Sequence, residues 1–116
     1  MAWWSMTPRD SEALERIVAC VDAIDAYVSR VGPSWPADGM AVDAIAKRIE
    51  EIGEVAKRVA PQTLATMPSV DWKGVKGIRE VIVHDYDEVE VELLVDVVRT
   101  YLPGLRAAIT KALSRL

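Results

Sequence analysis

The chain has 116 residues, enough for one hydrophobic core and too few for two. Hydrophobic residues make up 51% of it and charged residues 28%, the balance of an ordinary globular domain, which excludes collagen-like, low-complexity and disordered classes. A net charge of −4 argues against a passive coat held to nucleic acid by bulk charge, while leaving room for a local basic cleft or a protein partner.

No apolar run approaches the roughly 20 residues of a membrane helix, because acids and bases interrupt each one. The start, Met1-Ala2-Trp3-Trp4-Ser5-Met6, has no basic segment followed by an apolar one, so it does not read as a signal peptide. The single Cys20 has no partner for an intramolecular disulfide. It reads as a buried structural thiol in a reducing compartment, with a lone nucleophile as the alternative. A cytoplasmic location is expected.

Asp10-Ser11 is positioned to cap a first helix whose apolar residues, Leu14, Ile17, Val18, Val21, Ile24, Val28 and Val31, recur at spacings of three and four. Gly32-Pro33 stops it, and residues 33–39 read as a loop containing Trp35. A second helix is predicted from about Met40 to Val59, burying Val42, Ile45, Ile49, Ile52, Val55, Ala56 and Val59. On its outer face Glu50, Glu51, Lys47, Glu54 and Lys57 mix charges in a pattern that suits solvent, and Pro61 ends it. Residues 62–69 hold at most one short turn of helix, closed by Pro68.

Asp71 is placed to cap a helix from Trp72 to about His84, with Val75, Ile78 and Ile82 on one side and Lys73, Lys76 and Arg79 also recurring at spacing three. Asp85-Tyr86-Asp87 reads as a break. From Glu88 to Leu102 the chain reads helical, with Val91, Leu94, Val95, Val98 and Leu102 inward. The run is too long for a strand, despite its many Val residues. Pro103 suits the first turn of a last helix containing Leu105, Ile109, Leu113 and Leu116. The expectation is one all-α domain spanning residues 1–116, an antiparallel bundle of four main helices and one or two short ones. Trp3, Trp4, Trp35 and Trp72 fall near predicted helix ends or loops, where they cover the core or serve an oligomer interface.

His84 is the only histidine. A lone histidine is more often structural than catalytic, but Arg79 precedes it by five positions and Tyr86 follows by two. On an ideal helix an i, i+5 pair is offset by about 140°, so the two side chains share a face only where the helix ends or distorts. The break at 85–87 would supply that end. Histidine exchanges protons near neutral pH, and arginine presents a planar fork of donors to phosphate. Together they suffice for metal-free RNA cleavage, one acting on the ribose 2′-hydroxyl or the leaving oxygen and the other on charge at phosphorus. The bare pair is a weak motif. No second histidine offers a metal cage, no cofactor motif is present, and Lys73-Gly74-Val75-Lys76-Gly77 lacks the preceding strand of a phosphate loop.

Three blocks strengthen it: Ile49-Glu50-Glu51-Ile52-Gly53-Glu54-Val55-Ala56-Lys57-Arg58, then Pro68-Ser69-Val70-Asp71-Trp72-Lys73, then Gly77-Ile78-Arg79-Glu80-Val81-Ile82-Val83-His84-Asp85-Tyr86. In order and separation, followed by Leu102-Pro103-Gly104-Leu105, they resemble the HepT-like branch of the HEPN family over about residues 10 to 113. The last block carries an Arg-x4-His-x-Tyr signature. The resemblance implies a helical HEPN-like bundle that forms a homodimer, with two Arg/His sets facing a shared cleft. It implies a metal-independent ribonuclease toxin of a type VII toxin–antitoxin pair. Its partner would be a minimal nucleotidyltransferase antitoxin, which transfers AMP to the signature tyrosine. Carried over by position, Arg79 and His84 are the catalytic residues and Tyr86 the AMP acceptor.

Glu80 departs from the family, which commonly has Asn there. Its carboxylate would either pair with Arg79 and repel phosphate or face solvent, since adjacent helical residues point about 100° apart. Asp85, Asp87, Glu88, Glu90 and Glu92 add negative field, whereas Lys73 and Lys76 are candidate RNA-phosphate contacts. The alternative function is a non-catalytic helical dimer that binds or regulates a nucleotidyltransferase partner.

Overall fold

The computed structural model describes residues 6–84 and 88–116, with residue 84 described at its backbone only. Trp3, Trp4, Tyr86 and the acids Asp85 and Asp87 lie outside the described residues. The first helix, α1, spans Pro8–Val31, and its cap is Thr7 rather than the Asp10–Ser11 pair. The Thr7 hydroxyl accepts the Asp10 N–H at 3.1 Å, and Pro8 fills the first turn, where no N–H is needed. Asp10 is thereby moved inside the helix and buried. It accepts from Ala60 N at 3.3 Å and from the Thr63 hydroxyl at 2.5 Å, an anchor between the two ends of the pair formed by the first helix and the segment after the second.

Leu14, Ile17, Cys20, Val21 and Ile24 are buried as the periodicity requires, while Val31 at the end of the stripe is exposed. Gly32 ends α1 at φ +94°, a backbone region open to glycine, and its N–H bonds to Val28 O at 2.8 Å. Trp35 begins a one-turn 3-10 helix, Trp35–Ala37, and is 1% exposed; it belongs to the core itself.

Helix α2, Gly39–Ala56, is capped by Asp38, whose carboxylate accepts from Ala41 N at 2.9 Å. It stops a turn short of the expected Val59. Pro61, read as its terminator, instead starts the short α3, Pro61–Leu64. Arg16 pairs with Glu51, and Tyr27 with Arg48, so α2 descends as α1 ascends: the two are antiparallel.

Asp71 caps α4, Trp72–Lys76, accepting from Gly74 N at 3.1 Å. A Cβ on Gly74 would lie 2.5 Å from the Asp71 carboxylate, so this glycine makes room for the cap. The helix expected to continue to His84 breaks at Gly77, resumes as α5, Ile78–Ile82, and then gives way to extended chain. Strand β1, Val83–His84, pairs antiparallel with β2, Glu88–Val89, in the register Val83 to Val89 and His84 to Glu88. The expected helical start at Glu88 is therefore moved to Val91.

Helix α6, Val91–Asp96, runs through a wide π turn, Val97–Tyr101, into α7, Leu102–Leu113. Leu102 N bonds to Val97 O, five residues back. Pro103 has no N–H, and its ring crowds the carbonyl four residues earlier, which a widened turn relieves. Trp72, Ile78, Ile82, Leu94, Leu102 and Ile109 join the α1–α2 residues in one core. Apart from the two-residue ladder the described fold is all-α, as expected.

Candidate active site

Arg79 is the second residue of α5, and α5 is held close to α2 by the absence of a side chain. A Cβ on Gly53 of α2 would lie 3.0 Å from Val75 O and 3.3 Å from Ile78 Cγ2. Glycine at 53 lets the α4–α5 junction approach the α2 backbone, with Val75 and Ile78 buried beside it. From that position the Arg79 Nε reaches the Glu50 carboxylate of α2 at 3.3 Å.

Glu50, expected on a solvent face, is half-buried and turned toward α5. The signal available for it was its place in the first of the three sequence blocks. Glu51 is likewise drawn inward, pairing with Arg16 of α1 and with Arg48 at 3.2 Å. Glu80 is exposed, and its negative charge bears on Lys57 at the end of α2. The described carboxylate contact of Arg79 thus comes from across the bundle, at Glu50, and not from its chain neighbour.

His84 occupies β1 at the backbone level, and its side chain lies outside the described residues, as does Tyr86. The helix ends at Ile82, where Val83 turns to φ −118° and ψ 126°. The geometric condition for an i, i+5 pair is therefore present: Arg79 is on the last full turn of α5, and the chain leaves helical twist before residue 84. Glu90 N donates to Ile82 O at 2.7 Å, tying the return of the ladder to the end of α5.

Lys73 and Lys76 belong to α4, on the other side of the Gly77 turn from Arg79; Lys73 is exposed and Lys76 half-buried. Cys20 is fully buried, and burial, reinforced by the nearby Glu51 charge, raises its thiol pKa. A thiol held protonated is a structural residue and a poor nucleophile, in line with the first reading of it. Among the described residues no three His, Cys, Asp or Glu side chains cluster as a metal site, and no helix is long and apolar enough to cross a membrane.

A helical bundle with an arginine on a short helix, a histidine just past its end and a tyrosine two residues later has a match among known families. Residues 12–112 fit the family model described as Ribonuclease HepT-like, and the chain belongs to that family. It is similar to a protein of Methanocaldococcus jannaschii named "Putative RNase MJ0127", with 30% identity over 61 residues, 53% of this chain and 50% of that one. It is also similar to "Gamma-glutamylcyclotransferase and putative RNase MJ0434" of the same organism, with 25% identity over 104 residues, 89% of this chain and 47% of that one. The chain thus spans about half the length of these curated relatives. No solved structure matches it significantly.

Proposed function

We propose that this chain is a metal-independent endoribonuclease toxin that acts in the cytoplasm as a homodimer, with Arg79 and His84 of both copies at a shared cleft. The observation that carries the reading is the end of α5 at Ile82, which frees residues 79 and 84 from the angular offset of a continuous helix, in a chain of the HepT-like ribonuclease family.

In the reaction, the ribose 2′-oxygen loses its proton and bonds to the adjacent phosphorus while the bond from phosphorus to the 5′-oxygen breaks. His84 handles the proton at one of these oxygens. Arg79 balances the charge on the non-bridging oxygens as it builds. The products are a 2′,3′-cyclic phosphate and a free 5′-hydroxyl. The Glu50 contact at Nε orients the guanidinium plane. Lys73 and Lys76 supply further phosphate contacts. A minimal nucleotidyltransferase antitoxin silences the enzyme by moving AMP from ATP onto the Tyr86 oxygen, releasing pyrophosphate. The added phosphate would stand two residues from His84 and compete with RNA for the same cations.

The second reading, a non-catalytic dimer that binds the nucleotidyltransferase, is favoured by the Glu50 carboxylate on Arg79 and the net charge of −4. One assay separates the two. The purified protein is incubated with RNA in EDTA beside Arg79→Ala and His84→Ala, each checked for its helical circular dichroism. The toxin reading expects cleavage by the unsubstituted protein and a loss of at least about a hundredfold in both variants, the scale of a lost acid–base group. Unchanged cleavage by His84→Ala would overturn it. No cleavage by any of the three, with Arg79→Ala failing to hold the partner, would favour the binding subunit.

A further inference from the structure

The N-terminal turns of α1, the end of α2 and the turn that follows it line an open groove of about 480 Å³ that the Arg79 site does not use. Arg9, Glu12, Ala13 and Arg16 line one wall, at the i, i+3, i+4, i+7 spacing of a single helix face; Val55 and Arg58 line the other. Three guanidinium groups face one carboxylate there, in a chain that is acidic overall. Arg16 is committed to Glu51 through part of its fork, although its side chain remains half exposed. Arg9 and Arg58 are exposed, and neither forms an ion pair among the described residues. Ala13 and Val55 give the groove an apolar floor.

The groove and the candidate active site share α2 as a wall, through Val55 in the one and Glu50 in the other. Glu50 holds Arg79. Glu54, one turn further on, has its carboxyl pKa lowered by the hydrogen bond from Lys57 and, at longer range, by the charges of both Arg58 and Arg79. Arg58 follows Glu54 by four residues, in the turn just past the end of α2. A polyanion bound at Arg79 and running toward the end of α2 would meet Arg58 beyond the Lys57-paired Glu54. Arginine, whose planar fork matches phosphate oxygens, is the cation at every position of the groove.

We propose that the groove between α1 and α2 is a second RNA-backbone site, in which Arg9, Arg16 and Arg58 hold phosphates of the strand flanking the one cut at Arg79 and His84. The word "cut" rests on the ribonuclease reading above; the binding itself does not. Glu12 in the wall limits the site to backbone passing beside it and disfavours a deeply seated mononucleotide.

The test measures binding apart from cleavage. A fluorescent single-stranded RNA of about a dozen 2′-O-methyl nucleotides, the length scale of such sites and without a free 2′-hydroxyl to attack, is titrated by anisotropy at several salt concentrations. Arg9→Gln with Arg58→Gln is expected to weaken binding about tenfold. It is also expected to flatten the slope of log K against log salt by about 1.4, two phosphates at roughly 0.7 each. Arg9→Lys with Arg58→Lys keeps the charge and should recover most of the slope. Both arginines are surface residues, and helical circular dichroism confirms the fold of each variant.

Unchanged affinity and slope in the glutamine variant would overturn the groove. If that variant instead loses a co-expressed nucleotidyltransferase while binding RNA normally, the groove belongs to a protein partner and the proposal is likewise overturned. Binding of this RNA by the unsubstituted protein, with no cleavage of the same sequence carrying free 2′-hydroxyls, sinks the ribonuclease reading and leaves the groove to stand on the variant. Neither binding nor cleavage sinks both.

Discussion

Glu51 is pulled in two directions. Burial by itself would raise its carboxyl pKa, but hydrogen bonds from Arg16 and Arg48 and the charge of Arg16 prevail, and the group titrates below its ordinary value of 4.5. A carboxylate whose pKa is depressed by folding stabilises the native state above its unfolded pKa. That contribution is lost as the pH falls through the lower, folded value. The charge network under Glu51, which also carries Arg48 to the Tyr27 hydroxyl at 3.2 Å, joins α1 to α2 beside the buried Cys20. Glu51→Gln is expected to lower unfolding stability by about 1–2 kcal/mol at neutral pH, the scale of hydrogen bonds to a charged group. The gap from the unsubstituted protein should close as the pH drops below the ordinary carboxyl value. Urea unfolding at neutral pH and near pH 3 measures it. A gap that is constant across that range would mean that packing, and not charge, is what Glu51 contributes.

Among the elements, α2 decides where the site falls, and Gly53 is the residue through which it does so. An alanine in the middle of an exposed helix would ordinarily be worth about 1 kcal/mol over glycine. At 53 the added methyl meets a backbone oxygen at 3.0 Å and a core side chain at 3.3 Å, and neither is the loose end of a flexible chain. Gly53→Ala should therefore destabilise the protein, by about 1–2 kcal/mol, through forced displacement of packed neighbours. The displaced element carries Arg79, so RNA cleavage should fall further than stability does. A thermal unfolding curve and a cleavage assay on the same preparation check both. A higher melting temperature would show that α5 has slack against α2.

Gly53 also marks what the sequence could and could not disclose. Signals that act within a few residues were readable: Gly32 ending α1, Asp71 capping α4, Pro103 opening α7, and the apolar stripes of α1 and α2. The spacing of Arg79 and His84 was readable, and so was the need for a helix end near them; that end falls at Ile82, ahead of the expected break at 85–87. Long-range partners were not readable. Asp10 looked like a cap because its true acceptor role involves Thr63, 53 residues away. Glu50 looked solvated because Arg79 meets it only after α5 has docked. The Val-rich stretch on either side of residues 85–87 suits helix and strand alike, and a ladder between 83–84 and 88–89 depends on the chain folding back on itself. The π turn needed Pro103 to be weighed against the carbonyl ahead of it, not only as a helix starter.

At the scale of the whole molecule, part of the apolar surface left uncovered among the described residues lies on α5 and α6, although Met40 and Leu116 are more exposed elsewhere. Val81 of α5 is 49% exposed, and Leu93 of α6 is 39% exposed, while Ile78, Val97 and Tyr101 line a shallow groove of about 170 Å³ next to Val81. Val81 lies two residues after Arg79, about 200° away around α5, so a second copy seated on this face would pack against the same short helix on the side turned from Arg79. Single exposed apolar residues are ordinary, but Val81 lines this groove with Ile78, Val97 and Tyr101 between Asp71 and Asp96, an apolar patch with a polar rim that suits an isologous contact. Homodimerisation through this face predicts that Val81→Glu, which would set a charge against its own symmetry mate, converts the protein to a monomer. Light scattering across a concentration series reads the mass directly, and circular dichroism should remain helical because Val81 is outside the core. Cleavage should fall together with dimer content if both copies build the cleft. A variant that stays dimeric would move the interface elsewhere, and a monomeric variant with undiminished cleavage would confine each active site to a single chain.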